Sequence, residues 1–258
     1  MSNNLRTSII KSVFSNIPYV GGALDQIFFE HRSRVKQERV NAFANALQDY
    51  METLNFDNKS INAEHLKSDD FGDVFESILR KVSETSSKEK VDRFKKILTN
   101  QIVMPKKYDF IETYLDIANK INDTQVQILL EHYESREILK KLKEENANLN
   151  SKLAMSQINL AAYSRSNGGI TYGSFAEKDV SKFNSQLAKN KAKIEEVYNM
   201  KKVTLKFSDG NNLFYIQDLV SKSLLIDISP STFDSPTPYQ ELEITEFGIG
   251  FLRFIENL

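Results

Sequence analysis

Apolar residues recur along the chain at the three-to-four spacing of amphipathic helices, and the polar breaks between stripes mark helix ends. Residues 23–54 read as one long helix with Phe43, Leu47, Tyr50, Met51 and Leu54 at helical spacing. After a polar break from Asn55 to Lys59, Ser68 is placed to cap a second helix. Asp69 and Asp70 suit the positive end of its dipole. Phe71, Val74, Phe75, Ile78, Leu79 and Val82 form its stripe. Ser86 and Glu89 have capping-box spacing and predict a third helix. That helix carries Val91, Phe94, Ile97, Leu98 and Ile102 and stops before Pro105. A fourth spans about 107–120, with Phe110, Ile111, Tyr114, Leu115, Ala118 and Ile121 turned inward. Short connections predict antiparallel neighbours.

Asn122 and Gln125 repeat the capping-box spacing, and no breaker follows until Asn167, Gly168 and Gly169. The helix predicted from about 123 to 162 is on the order of 60 Å long at 1.5 Å per residue. Its second half carries a heptad seam through Leu139, Leu142, Asn146, Leu149, Leu153, Ser156 and Leu160. A second seam runs through Val180, Phe183, Leu187, Asn190, Ile194 and Val197. In an antiparallel hairpin, facing positions share one midpoint. Asn146 with Asn190, Leu149 with Leu187, Leu153 with Phe183, Leu142 with Ile194 and Leu139 with Val197 all centre on Gly168. The expectation is a coiled-coil hairpin whose buried amide pair fixes register. Its tip, residues 163–174, holds Tyr163, Arg165, Gly168, Gly169 and Tyr172. It reads either as a flexible turn or as a contact loop with aromatic and Arg anchors.

The last sixty residues change character. Val203 to Phe207 alternates like a strand, Ser208 to Asn211 reads as a turn, and Asn212 to Ser221 as a short helix. Leu224 to Ile228 and Glu241 to Ile244 read as strands around a loop with Pro230, Pro236 and Pro238. Thr245 caps a final helix with Phe247, Phe251, Leu252 and Ile255. This order resembles a winged-helix module whose first helix would come from residues 123–135. The fold class expected is mainly α: a helical bundle, a long antiparallel coiled-coil hairpin, and a small C-terminal winged-helix-like α+β module. The domains expected are 1–122, 123–200 and 201–258.

Composition narrows the chemistry. The chain of 258 residues is 40% apolar and 27% charged, enough for a packed core. Its 34 basic and 35 acidic residues leave a net charge of -1, so bulk charge does not attract polyanions. Cysteine is absent, which excludes disulfides, thiolate metal sites and cysteine nucleophiles. His31, His65 and His132 stand apart from any H-E-x-x-H or nucleophile motif. Asp69, Asp73 and Glu76 are spaced to share a helix face, but dipole complementation accounts for the acidic helix start more simply. No catalytic residue, metal ligand or cofactor is expected.

Charge is unevenly distributed. Residues 80–107 hold nine cations, Arg80, Lys81, Lys88, Lys90, Arg93, Lys95, Lys96, Lys106 and Lys107, against Glu84, Glu89 and Asp92. This is either a solvated face or a surface for lipid, nucleic acid or an acidic partner. Residues 201–258 hold five basic and eight acidic side chains. Lys222 lies beside Asp218, and the wing loop carries Asp234, so this module is poorly suited to phosphate contacts.

At the N-terminus, Leu5, Ile9, Ile10, Val13, Phe14 and Ile17 fall on one side of a helix, with Arg6 and Lys11 opposite. The segment either docks on the core or lies at a membrane interface or partner surface. Arg32, Arg34, Lys36 and Arg39 follow and suit anionic headgroups or a solvated face. Lys11, Asn16 and Asp25 interrupt the apolar run, so neither a signal peptide nor a spanning helix is predicted. The expected location is cytoplasmic, with peripheral membrane contact.

IPYVGGALDQ, the helix pair FGDVFESILRKVSETSSKEKVDRFKKILTNQI, the junction YDFIETYLDIANKINDTQVQILL and the winged-helix ending stand in an order that resembles bacterial abortive-infection, Abi-alpha-like, helical proteins. The resemblance is best over residues 60–135 and rests on layout; the hairpin lies outside it. It implies a role in phage defence and no site residues. The function expected is that of a non-enzymatic interaction protein, contacting a membrane, a protein partner or further copies of itself. Two alternatives stand beside it: a nucleic-acid-binding regulator using the 80–107 face, and an enzyme of unrecognised type.

Overall fold

The computed structural model describes residues 34–53, 63–103, 105, 109–165, 170–204, 210–229, 239 and 241–256. Its helices are α1 (Arg34–Thr53), α2 (Ala63–Leu66), α3 (Asp69–Glu84), α4 (Lys88–Val103), α5 (Ile111–Lys120), α6 (Asp123–Arg165), α7 (Ile170–Thr204), α8 (Gly210–Ser221) and α9 (Glu246–Glu256). Strands β1 (Leu225–Asp227) and β2 (Leu242–Ile244) lie between α8 and α9. The described residues thus form a mainly α fold. The chain divides into two compact units, Met1–Val126 with Gly250–Leu258, and Gln127–Ile249. The boundaries expected at 122 and 200 differ from this division, because the C-terminal residues from Gly250 join the N-terminal helices.

In the first unit α3 packs against α1, α2, α4 and α5. Ser68 Oγ accepts from the Phe71 amide at 3.3 Å, which starts α3 where its sequence predicts. Phe71, Val74, Phe75, Ile78, Leu79 and Val82 are all buried, as the stripe requires. They meet Val40, Phe43, Leu47 and Met51, the buried side of α1. The cap of α4 is Ser87 rather than Ser86: its Oγ accepts from the Lys90 amide at 3.3 Å. Thr85 Oγ1 accepts from the Ser87 amide, and this local turn moves the helix start on by one residue. Phe110, expected inward, is 51% exposed, because it stands at the N-cap of α5, before the helical face is established. The box at α6 forms in both directions. Asn122 Oδ1 accepts from the Gln125 amide at 2.9 Å, and Gln125 Oε1 accepts from the Asn122 amide at 3.0 Å. Tyr114 closes the unit, with ring centroids 5.7 Å from Phe251 and 5.5 Å from Phe254.

In the second unit α6 runs for 43 residues and α7 for 35. Asn190 Nδ2 donates to Asn146 Oδ1 at 3.0 Å. With only residues 166–169 between the helices, that contact requires α7 to run back along α6. Leu139, Leu142, Leu149 and Asn190 are buried. Leu153, Leu160, Phe183, Leu187, Ile194 and Val197 are half-buried, while their flanking residues, Gln186 apart, are exposed. The strand expected over 203–207 does not start at Val203, because α7 continues through Thr204; residues 205–209 lie outside the described residues. Gly210 and Asn211, expected in a turn, open α8.

The end of α8 is a Schellman motif. Leu224 N donates to Leu219 O at 3.0 Å, and Ser223 N to Val220 O at 2.9 Å, with Ser223 at φ 59°. β1 and β2 pair antiparallel, Leu225 with Ile244 and Asp227 with Leu242. Thr245 Oγ1 accepts from the Gly248 amide at 2.9 Å and donates to Ser223 O at 2.6 Å, which ties the start of α9 to the end of α8. A Cβ at Gly248 would lie 2.3 Å from Leu224 O and 2.9 Å from Ile244 Cγ1. The glycine is required by this approach of helix to backbone. Gly248→Ala therefore costs about 1–3 kcal/mol, read as a lowered thermal midpoint; an unchanged midpoint would contradict the contact.

Candidate interaction site

The cations of residues 80–107 do not form one open face. Arg93 is 5% exposed. Its guanidinium donates to Ala118 O at 2.7 Å and Ile121 O at 3.1 Å, and pairs with Asp123. The carbonyls at the end of α5 have no partner within the helix, and a buried guanidinium with five donors satisfies them. Lys90 donates to Asn119 O at the same helix end. Arg80 pairs with Glu76 at 2.9 Å, Lys81 with Asp116, and Lys96 with Glu256 at 3.0 Å. Lys95 pairs with Asp92 at 2.6 Å and lies 5.1 Å from the Tyr50 ring centroid. Lys88 is exposed. Lys106 and Lys107 lie outside the described residues. Arg93 is the clear correction to the expected basic face: its charge is directed inward.

Of the N-terminal candidates, Ile9, Ile10, Val13, Phe14, Ile17 and Arg32 lie outside the described residues. Arg34 is exposed and pairs with Glu38 at 2.9 Å, while Lys36 is half-buried. Arg39, expected on a headgroup-facing surface, donates instead to Ser83 O at 3.1 Å. Of the expected tip, Tyr163 and Arg165 belong to the last turn of α6 and Tyr172 to the first turn of α7. The helices thus extend into the segment expected as a twelve-residue loop. Gly168 and Gly169 lie outside the described residues.

On α8, Asn211, Phe214, Gln217 and Ser221 make the exposed side, and Lys222 is held by Asp218. Phe214 is 62% exposed. A neutral, aromatic surface of this kind suits apolar contact better than phosphate. Asp227 fastens the strand ends on either side of residues 230–238. Its carboxylate accepts from Ser229 N at 2.9 Å, from the Ser229 hydroxyl and from Tyr239 N at 2.8 Å. Partial burial acts to raise the Asp227 pKa, but the Ser229 hydroxyl and the two amides outweigh it and hold the carboxyl below its ordinary value. Among the described residues no three His, Asp or Glu side chains cluster as a metal site. No described helix is long and apolar enough to cross a membrane.

No family model, no curated protein and no solved structure matches the chain. One surface feature escapes a reading that follows a single seam along α6. Met155 and Ile158 are 68% and 64% exposed, on the side of the helix away from Leu153 and Leu160. The signal is present in the sequence: residues 146–164 contain one charge, Lys152, whereas residues 134–145 contain eight.

Arg93→Met leaves the α5 carbonyls without donors and costs about 2–4 kcal/mol in denaturant unfolding, whereas Lys88→Ala stays within about 0.5 kcal/mol. Equal effects would refute the inward role of Arg93. Because the Asp227 pKa is lowered on folding, its contribution is present above the ordinary aspartate range and is lost as pH falls through the lowered value. The stability gap between the native chain and Asp227→Asn should accordingly close on acidification, as measured by thermal unfolding across pH.

Proposed function

We propose that the chain is a non-enzymatic interaction protein, a bacterial phage-defence component of the abortive-infection kind, that meets an anionic membrane or a protein partner. The observation that carries this reading is the Asn146–Asn190 hydrogen bond. Its midpoint is Gly168, the same position on which the apolar seams centre. A coiled-coil hairpin held in that register exposes much of α6 and α7 to contact and ends in the last turn of α6 and the first turn of α7. Contact residues are Ile9, Ile10, Val13, Phe14 and Ile17 at the N-terminus, and Tyr163, Arg165 and Tyr172 at the hairpin end. The winged-helix-like module serves packing and protein contact. This is supported by the neutral outer side of α8 and by the Lys222–Asp218 pair. The nucleic-acid reading loses support because the described cations of residues 80–107, Lys88 apart, already hold carboxylates or helix-end carbonyls.

Anionic liposomes loaded with a fluorescent dye test the reading. The full chain should release the dye, and Ile10→Asp with Phe14→Asp should reduce release by more than about tenfold, since two carboxylates would have to enter the apolar interface. Equal release by both proteins would eliminate the membrane route.

A further inference from the structure

The back of α6 is uncharged, apolar apart from Ser151, and exposed among the described residues. Ala147, Ser151, Ala154, Met155, Ile158, Ala161 and Ala162 share one face of the helix, at i, i+3 and i+4 spacing, and are all exposed. Single exposed apolar residues are ordinary on protein surfaces; a continuous stripe of about 24 Å, bare of charge, is not. The seam toward Asn146 and Leu149 occupies the opposite side of the same helix. The distal half of α6 is therefore apolar on both sides, the pattern of a helix inside a bundle rather than at its edge.

We propose that this stripe pairs with the same stripe of a second copy, antiparallel about a two-fold axis between positions 154 and 155. The identity of the occupant follows from the order of residues. The first half of the stripe is small, Ala147, Ser151 and Ala154; the second half holds the bulk of Met155 and Ile158. A two-fold pairing sets Ser151 opposite Ile158 and Ala154 opposite Met155, so large meets small in the central layers, and Ala147 meets Ala162 at the ends. Charge follows the same symmetry. An isologous contact places each charge opposite its own mirror, and the stripe carries none. Beyond its ends, Glu144 precedes it and Arg165 follows it at matching spacing, so the same axis sets position 144 of one copy opposite position 165 of the other. One helix face is smaller than the ~800 Å² per partner of a typical stable interface. The dimer is accordingly concentration-dependent, in the micromolar range.

The inference rests on the hairpin reading but not on membrane contact. Sedimentation of the full chain across concentration should show a monomer–dimer equilibrium. Met155→Glu with Ile158→Glu weakens it by more than about tenfold, because paired copies would bury four carboxylates. Both side chains are exposed, so helix content by circular dichroism is retained, and Val35→Glu on α1, at a position 54% exposed, leaves the equilibrium unchanged. The chain has no cysteine, so Ala154→Cys provides one thiol beside the axis, and mild oxidation should give a covalent dimer. A chain that remains monomeric at every concentration, or a dimer indifferent to the paired glutamates, overturns the proposal. So does a monomer that binds anionic vesicles through Met155 and Ile158, which makes the face a lipid contact. Loss of the dimer with dye release intact counts against this inference alone; loss of release with the dimer intact counts against the membrane route alone.

Discussion

The corner between α5 and α6 depends on one buried guanidinium. Arg93 reaches from α4 to the exposed carbonyls at the end of α5 and to Asp123 in the first turn of α6. A helix end buried without donors is costly, and a lysine offers one point charge where the site needs a planar fork. Next to it, Asn122 and Gln125 exchange hydrogen bonds across the start of α6. The end of one helix and the beginning of the next are thereby satisfied within a few residues, and α6 starts in a defined direction. The same contacts explain why a cation-rich stretch is a weak candidate for polyanion binding: much of its charge neutralises helix ends and neighbouring carboxylates.

The hairpin shows a similar economy of polar contact. A single amide pair, Asn146 with Asn190, sits among leucines. Shifting the helices by one heptad would part the buried Asn190 from the half-buried Asn146, so the pair selects one register at some expense of stability. Apolar burial then specifies little else, and the back of α6 remains free to present its second stripe.

The C-terminal part is fastened by backbone geometry more than by core volume. A Schellman turn at Ser223, the Thr245 cap and the bare α-carbon of Gly248 bring α8, the two short strands and α9 together. Asp227 holds the strand ends by three donors. Further along α9, Gly250 lets the Tyr114 hydroxyl approach to 2.3 Å from where a Cβ would stand, so two glycines in one helix serve two separate close contacts.

Much of this was legible in the residues alone. Ser68, Asn122 with Gln125, and Thr245 act on amides within three positions, and stripe periodicity is local, so caps, helices and the Asn146–Asn190 register could be read directly. Tertiary structure decided the remainder. Whether Arg93 and Arg39 face water or a distant carbonyl depends on partners tens of residues away, and no local pattern encodes those. Val203 lies in a helix that continues through Thr204, although its alternation with Leu205 and Phe207 reads as a strand. The residues from Gly250 leave their sequence neighbours because the aromatic pocket around Tyr114 takes Phe251 and Phe254. The seam of α6 that meets α7 was legible, whereas the exposure of Met155 and Ile158 on its back was seen only in the tertiary structure.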